Sequence, residues 1–367
     1  MADRQRVQPA ALATPRATRA EWRAVDDADS PQRMVEVVQF QRRAGSTSFS
    51  VERLFEDTRE ALPADIRVSV RVNRFMSTGV WPRIADALGA WRRRGRVNHV
   101  LGDVHYLACL LPRRRTILTV LDCVTLERLS GFRRWVFWLL WYWWPTQRAT
   151  HITVISEFSK AALLRAVRYP HDRVHVIPPP LSPEFQRSPP GATGGRPRLL
   201  QVGTVQNKNV DRVIEAVAGL EVVLVVIGTL SPAQHDRLQA MGIEYECHVD
   251  VPREVILQQY RRCDVVVFAS TYEGFGLPII EAQAIGRPVV TGNNSSMPEA
   301  AGGAACLVDA FDVSDIRRGI VRVIEDRAYA ADLVERGYRN AARYEPACIA
   351  RQYAALYRDI DSGETTS

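Results

Sequence analysis

Apolar and polar positions along this chain change period repeatedly. Short unbroken apolar runs give way to stretches spaced at three and four, the rhythm of strands alternating with helices. Runs at 34–40, 68–72, 116–121 and 152–155 predict strands of a first α/β domain, and runs at 198–202, 222–227, 265–269 and 289–291 predict those of a second. Helices are expected over 210–218, from Pro278 to a stop at Gly286, and over 346–359. Strands alternating with helices imply parallel, doubly wound sheets in both halves, with a cleft between them as the expected site. The stretch 186–197, with three prolines and three glycines, reads as a linker. The expected organisation is therefore a disordered tail over 1–33, a first domain over 34–185, the linker, a second domain over 198–345, a terminal helix over 346–360 and a short tail over 361–367.

A length of 367 residues suits two domains, and 46% hydrophobic with 24% charged residues is ordinary for a globular protein. The six cysteines have no paired spacing, which argues against a zinc site or a disulfide framework and for a reducing, cytoplasmic setting. No signal peptide is read at the N-terminus.

Charge is divided unevenly. Residues 1–190 hold 30 Lys and Arg against 18 Asp and Glu, while 191–367 hold 18 against 23. The basic half should face an anionic partner. Its runs Arg92-Arg93-Arg94 and Arg113-Arg114-Arg115 lack the interleaved aromatics of a nucleic-acid stacking platform. A membrane surface or a lipid-linked phosphate fits better, with solvated charge as the plain alternative. The stretch FRRWVFWLLWYWWP at 132–145 bears on this. Its apolar run, 135–144, is about half of what spans a bilayer. It is read either as a helix in the lipid interface or as a core helix packed on the sheet.

The densest chemistry lies in Glu273-Gly-Phe-Gly-Leu-Pro-Ile-Ile-Glu281, which sets two carboxylates eight positions apart across a glycine loop and a helix start. Such a loop follows a buried strand, exposes backbone N–H groups, and lets a ligand approach closely. Carboxylates repel phosphate, so Glu273 and Glu281 are expected to accept hydrogen bonds from hydroxyls on a sugar and a ribose. Together these point to a bound sugar nucleotide.

The same residues resemble a known family, the retaining glycosyltransferases of GT-B family 4, whose hallmark is E-x7-E. The likeness runs through EGFGLPIIEAQAIGRPVV to Pro298-Glu299, and includes ISEFSK at 155–160, HVIPPPLSPEF at 175–185 and LLQVGTVQNKNVDRVIEA at 199–216. It implies two Rossmann-like domains, with donor contacts at Gly203, Thr204, Lys208, Glu273, Gly274, Phe275, Gly276, Leu277 and Glu281, and a terminal helix that crosses back to brace the first domain. Lys208, after a strand and before a helix that Asn209 is placed to cap, would neutralise the departing diphosphate, helped by the N–H groups at 274–276 and by Lys160. Lys160 and Lys208 are the chain's two lysines beside 46 arginines. Relatives carry an arginine shortly before this lysine; residues 204–206 supply none, and Arg212 is the candidate substitute.

From the first domain the resemblance implies His105 as a contact to the sugar or leaving phosphate, oriented by Asp103. Relatives place a second histidine just before an aspartate after the following strand; here Leu121 precedes Asp122, which is still expected to line the acceptor side, and the glycine-rich loop after the first strand is reduced to Arg42-Arg43-Ala44-Gly45, with Arg43 as an acceptor-side candidate. The literal D-x-D at Asp27-Ala28-Asp29 lacks a preceding strand and is read as chance. No metal and no cofactor beyond the donor is expected.

The function implied is retaining transfer of a hexose or deoxyhexose from a nucleoside diphosphate sugar to a glycan or lipid-linked acceptor in cell-surface polysaccharide assembly. Membrane contact through 135–144 is part of this reading, and no nucleic-acid partner is expected. Two alternatives stand: a non-catalytic nucleotide-sugar-binding subunit of a glycan assembly complex, and an epimerase or phosphorylase-like relative on the same fold.

Overall fold

The computed structural model describes residues 34–43, 50–75, 79–189 and 195–363. The expected tail over 1–33, the D-x-D within it, Ala44-Gly45, the linker residues 190–194 and the last residues 364–367 lie outside the described residues.

Two six-stranded parallel sheets carry the fold. The first consists of β1 (Val35–Gln41), β2 (Ile66–Val72), β3 (Val97–Val100), β4 (Thr116–Val120), β5 (His151–Val154) and β6 (Val174–Val176), in the order β2-β1-β3-β4-β5-β6. The second consists of β7 (Arg198–Val202), β8 (Val223–Ile227), β9 (Glu244–His248), β10 (Val265–Phe268), β11 (Val289–Gly292) and β12 (Cys306–Val308), in the order β12-β11-β10-β7-β8-β9. Each order reverses at one place, between β1 and β3 and between β10 and β7. Loops diverge there to opposite faces, so a crevice opens beyond the carboxyl ends of the strands.

Helices cover both faces of the first sheet, as apolar strands buried on two sides require. On one face lie α1 (Ser50–Glu60) and the terminal helix. On the other lie α2 (Val80–Arg92), a 3₁₀ turn (His105–Leu110), α3 (Val124–Arg128), α4 (Gly131–Phe137), a π-helical turn (Trp138–Trp143), α5 (Trp144–Gln147) and α6 (Glu157–Ala166). The second sheet is flanked by α7 (Val210–Val217), α8 (Pro232–Ala240), α9 (Arg253–Arg262), α10 (Leu277–Ile285), α11 (Met297–Ala301), α12 (Val313–Glu325) and α13 (Arg327–Ala341). The last helix, α14 (Pro346–Ser362), ends three residues beyond the expected helix and two beyond the expected domain boundary, and its Asp361 pairs with Arg96 at 2.8 Å. It follows α13 of the second domain yet buries Ile349, Tyr353, Tyr357 and Ile360 against Val35, Phe55, Val97 and Ile117 of the first.

The aromatic stretch divides its side chains between inside and outside. Trp138 Nε1 donates to the Ala166 carbonyl at 2.8 Å, Trp141 Nε1 to the Asp103 carbonyl at 3.2 Å, and Tyr142 is buried, while Trp135, Trp143 and Trp144 are exposed. No helix among the described residues is long and apolar enough to cross a membrane.

Candidate functional site

Lys208 and Glu273 meet at the switch point of the second sheet. Lys208 closes a 3₁₀ turn, Gln206–Lys208, after β7, and Glu273 lies in the loop after the neighbouring strand β10. Their side chains form an ion pair, Nζ to Oε1, at 2.7 Å with side-chain exposures of 18% and 13%. Asn207 Nδ2 donates to the same oxygen at 3.3 Å and to the Tyr272 carbonyl at 2.9 Å, and Thr271 N donates back to the Asn207 carbonyl. The ammonium also stands 4.5 Å above the ring of buried Phe268. Its aliphatic stem packs over Gly203, where φ is +85° and an added Cβ would come within 3.1 Å of Lys208 Cε. Gly203 is thus fixed by the lysine it carries, and Thr204 beside it packs on Gly228.

Asn209 corrects one expectation. It occupies the residue before α7 in a left-handed conformation, but its side chain does not cap the helix. Nδ2 donates to the Ala269 and Ala310 carbonyls, tying the loop after β7 to those after β10 and β12. Oδ1 accepts from Arg212, whose guanidinium is occupied there.

Glu281 lies one turn into α10. Its Oε2 accepts a 2.7 Å hydrogen bond from the fully buried Tyr260 on α9, and Oε1 takes no bond from the described residues. Burial raises the Glu281 pKa, against the pull of the Tyr260 hydroxyl, Arg253 and Lys208. Arg253 in turn pairs with Glu184, which also pairs with Arg53 of α1.

The loop between the two carboxylates is braced from beneath. Buried Ser296 Oγ donates to the carbonyls of Glu273 and Phe275, Glu273 N donates to Ser295 Oγ, and Asn294 Nδ2 donates to the Thr271 carbonyl. Phe275 and Leu277, read as donor contacts, turn their side chains into or against the domain core, which leaves only their backbone for such a contact. Gly276 has φ +112° at the start of α10. Gly274 serves the other domain: a Cβ there would stand 3.2 Å from Ile155 Cδ1, 3.4 Å from the Leu121 carbonyl oxygen and 3.5 Å from Asp122 Cβ. Ser156 Oγ donates to the Gly274 carbonyl at 2.7 Å, and Glu299 accepts from Glu157 N at the start of α6. These bonds hold the glycine loop against the ends of β4 and β5. Lys160, on α6, is half-buried.

On the first domain, the switch point between β1 and β3 is crossed by an ion pair, Arg42 to Asp103, at 3.1 Å. Asp103 therefore does not orient His105. The His105 ring is 4% exposed and bonds through Nδ1 to the Trp141 carbonyl at 2.7 Å, and burial lowers its pKa. A carbonyl accepts, so Nδ1 carries the proton. Asp122 Oδ1 accepts from Val124 N and starts α3, and Arg43 is exposed at the end of β1.

Two family profiles divide this chain between them. Glycosyltransferase Family 4 matches residues 35–185 and Glycosyl transferases group 1 matches 183–340. The chain belongs to the group 1 glycosyltransferases.

Among curated group 1 relatives, the O-antigen chain mannosyltransferase B of Escherichia coli is 27% identical over 216 residues, 53% of this chain and 56% of its own length. The MMP alpha-(1->4)-mannosyltransferase of Mycolicibacterium hassiacum is 25% identical over 237 residues, 61% and 58% respectively. The chain thus spans little more than half of these relatives. Among solved structures, Anabaena Alr3699/HepE in complex with UDP and glucose superposes with a TM-score of 0.71 at 16% identity, over 89% of this chain and all of that one. WaaG, a glycosyltransferase involved in lipopolysaccharide biosynthesis, gives 0.65 at 14%, over 88% and 99%. At such identities the likeness is one of fold, and the two parallel sheets are those of the GT-B architecture.

Sequence reasoning missed Tyr260 and Ser296, and it placed Arg42 in the reduced loop after the first strand without its partner Asp103. Each acts through a fold contact distant in sequence, and no local motif marks it.

Proposed function

We propose that this group 1 glycosyltransferase moves a hexose or deoxyhexose from a nucleoside diphosphate sugar, with retention at the anomeric carbon and without a metal, to a glycan or lipid-linked acceptor in cell-surface polysaccharide assembly. The observation that carries the reading is the meeting of Lys208, Glu273 and Glu281 around one glycine loop at the switch point of the second sheet. Glu281 Oε1 would accept from ribose hydroxyls, Glu273 from the sugar, and Lys208 with the 274–276 N–H groups would take up the charge of the departing diphosphate. The acceptor hydroxyl then attacks the face the diphosphate leaves. The names of the similar proteins, mannosyltransferases and a UDP- and glucose-bound structure, support a sugar nucleotide donor. The enzyme would act in the cytoplasm at the inner membrane face, in contact through residues 135–144.

The scaffold alternative draws on one observation, the buried and bonded His105. Calorimetric titration with UDP, GDP and ADP, on the wild type and on Glu281→Ala, tests the donor site. Selective binding lost in the variant supports it, and no binding of any nucleotide overturns it. Nucleotide binding without release of nucleoside diphosphate from donor and acceptor together would favour the scaffold.

A further inference from the structure

The first domain exposes its large apolar side chains in one layer. Eleven of the nineteen large hydrophobic residues most open to solvent among the described residues fall between Val80 and Trp144, all in the layer that covers the sheet opposite α1 and α14. Helix α2 contributes a stripe that sequence periodicity alone did not single out. Trp81, Ile84, Leu88 and Trp91 follow the three-and-four spacing of one helix face and are 80%, 43%, 41% and 45% exposed, while Asp86, Ala87 and Ala90 on the opposite face are buried. The helix therefore presents an apolar stripe to solvent in addition to the alanines it packs inward. Arg83 of α2 stacks on Trp141 at 4.5 Å, so α2 adjoins the aromatic stretch that exposes Trp135, Trp143 and Trp144.

The charge of this region is one-sided. Residues 79–148 contain twelve arginines against four Asp and Glu, one of which, Asp86, is buried, together with seven of the chain's eight tryptophans. Arg92, Arg93 and Arg94 are exposed at the end of the stripe. At the rim of the layer a cavity of about 480 Å³ is lined by Arg134, Arg165, Trp135, Trp138 and Leu126, with no carboxylate among the described residues of its wall. Exposed tryptophans set among arginines suit the boundary between acyl chains and anionic headgroups, where indoles anchor and guanidinium groups meet phosphate.

We propose that this layer docks the protein on an anionic phospholipid bilayer, with α2 lying in the interface plane as the principal inserting element and residues 132–144 as the second. This rests on the membrane placement proposed above and adds the element that makes the contact and the charge of the partner. Docking would leave the Arg42–Asp103 crevice of the same domain next to the bilayer surface, within reach of an acceptor carried on a lipid.

The test is sedimentation of the purified full chain with phosphatidylcholine vesicles and with vesicles in which phosphatidylglycerol replaces part of the phosphatidylcholine. Preferential binding to the anionic vesicles, weakened by salt, is expected. Trp81→Ser with Trp91→Ser should lower partitioning at least tenfold, and Arg92→Gln with Arg93→Gln by about fivefold per arginine. Ile84→Gln with Leu88→Gln provides a second stripe variant should the first misfold, and melting curves report folding for each. Absence of wild-type binding to anionic vesicles, or binding unchanged in both stripe variants, overturns the proposal. So does a dimer that dissolves in the stripe variants without vesicle binding, which would make the face an interface between copies of this chain. Nucleotide titration of the same samples separates the two readings, because vesicle binding without nucleotide binding would sink the donor site and leave the docking face standing.

Discussion

Tyr260 Oη donates to Glu281 Oε2 at 2.7 Å from a position with no solvent exposure. The tyrosine fixes one carboxylate oxygen and leaves the other for a ligand. It also supports the charged form that burial disfavours. Because the Glu281 pKa is raised, a neutral carboxyl begins to populate at a higher pH than for an ordinary glutamate, and donor affinity is expected to fall as pH drops through that raised value. Tyr260→Phe removes a donor to the carboxylate, so the acid limb of nucleotide binding should move to higher pH, with a loss at neutral pH of about 1.5–3 kcal/mol as for a hydrogen bond to a charged group. Titration calorimetry across pH reads both effects. An unmoved acid limb would show that Glu281 does not govern binding. The stability sign is the opposite: a raised carboxyl pKa favours the folded state at low pH and ceases to do so as pH rises through it.

Lys208 and Glu273 differ in kind from that pair, since each neutralises the other before any ligand arrives. Lys208→Ala is expected to lower kcat by about 10²–10³-fold, the loss of one well-placed donor to a developing anion. It also leaves the Glu273 carboxylate, 13% exposed, without its cation, at a stability cost of about 1–3 kcal/mol. The double variant Lys208→Ala/Glu273→Ala should regain part of that stability and none of the turnover. Urea unfolding beside steady-state kinetics separates the two. Recovery of activity in the double variant would count against a role for the ammonium in transfer.

Gly274→Ala probes the contact between the domains. The new Cβ would press on Ile155 at 3.2 Å and on the Leu121 carbonyl at 3.4 Å, while the Ser156 bond to the Gly274 carbonyl would have to lengthen. Nucleotide binding, assigned above by proposal to the second domain, should stay within about twofold, and turnover should fall at least about tenfold, because transfer depends on placing acceptor and donor to a fraction of an ångström. Equal loss of both would mean that the glycine serves the loop and not the contact. Gly286→Ala is the contrasting control: at φ +88°, with a Cβ 1.9 Å from Tyr338 Oη, it should destabilise the fold outright.

Much of this was legible from residue patterns where the pattern is local. Strand β10, Val265–Phe268, falls within the expected run 265–269, because an apolar run buried on both faces has no competing period. The strands that escaped notice are β3, β6, β9 and β12. Three of these are sheet edges, and β3, though central, is four residues long and half polar through Asn98 and His99. The Glu273–Glu281 loop was legible because glycines and carboxylates sit within nine residues. Tyr260 and the pairing of Arg42 with Asp103 were not, because these contacts span 21 and 61 residues and only the sheet order brings them together. Asp103 was drawn to the wrong partner for the same reason: His105 is two residues off, but Arg42 is adjacent across the β1–β3 switch point.

The brace between the domains predicts acid sensitivity. Tyr357 of α14 accepts from Gln39 Nε2 at 3.0 Å and lies 2.8 Å from His99 Nδ1, while His99 Nε2 lies 2.7 Å from Thr119 Oγ1, all without access to water. Burial lowers the His99 pKa to about 3. The unfolded chain takes up a proton near pH 6.5 that the folded chain refuses until about pH 3, so this residue makes stability fall with decreasing pH across that window, by up to about 1.4 kcal/mol per pH unit. His99→Gln keeps a donor and an acceptor without the titration, and its urea midpoint should lose about one proton's worth of that slope between pH 6 and pH 4. Tyr357→Phe should instead lower stability by about 1–3 kcal/mol at all pH values, since it leaves the buried Gln39 and His99 short of a partner. A His99→Gln variant with the wild-type slope would transfer the acid response to His151 and His175 of β5 and β6, whose pKa values burial also lowers.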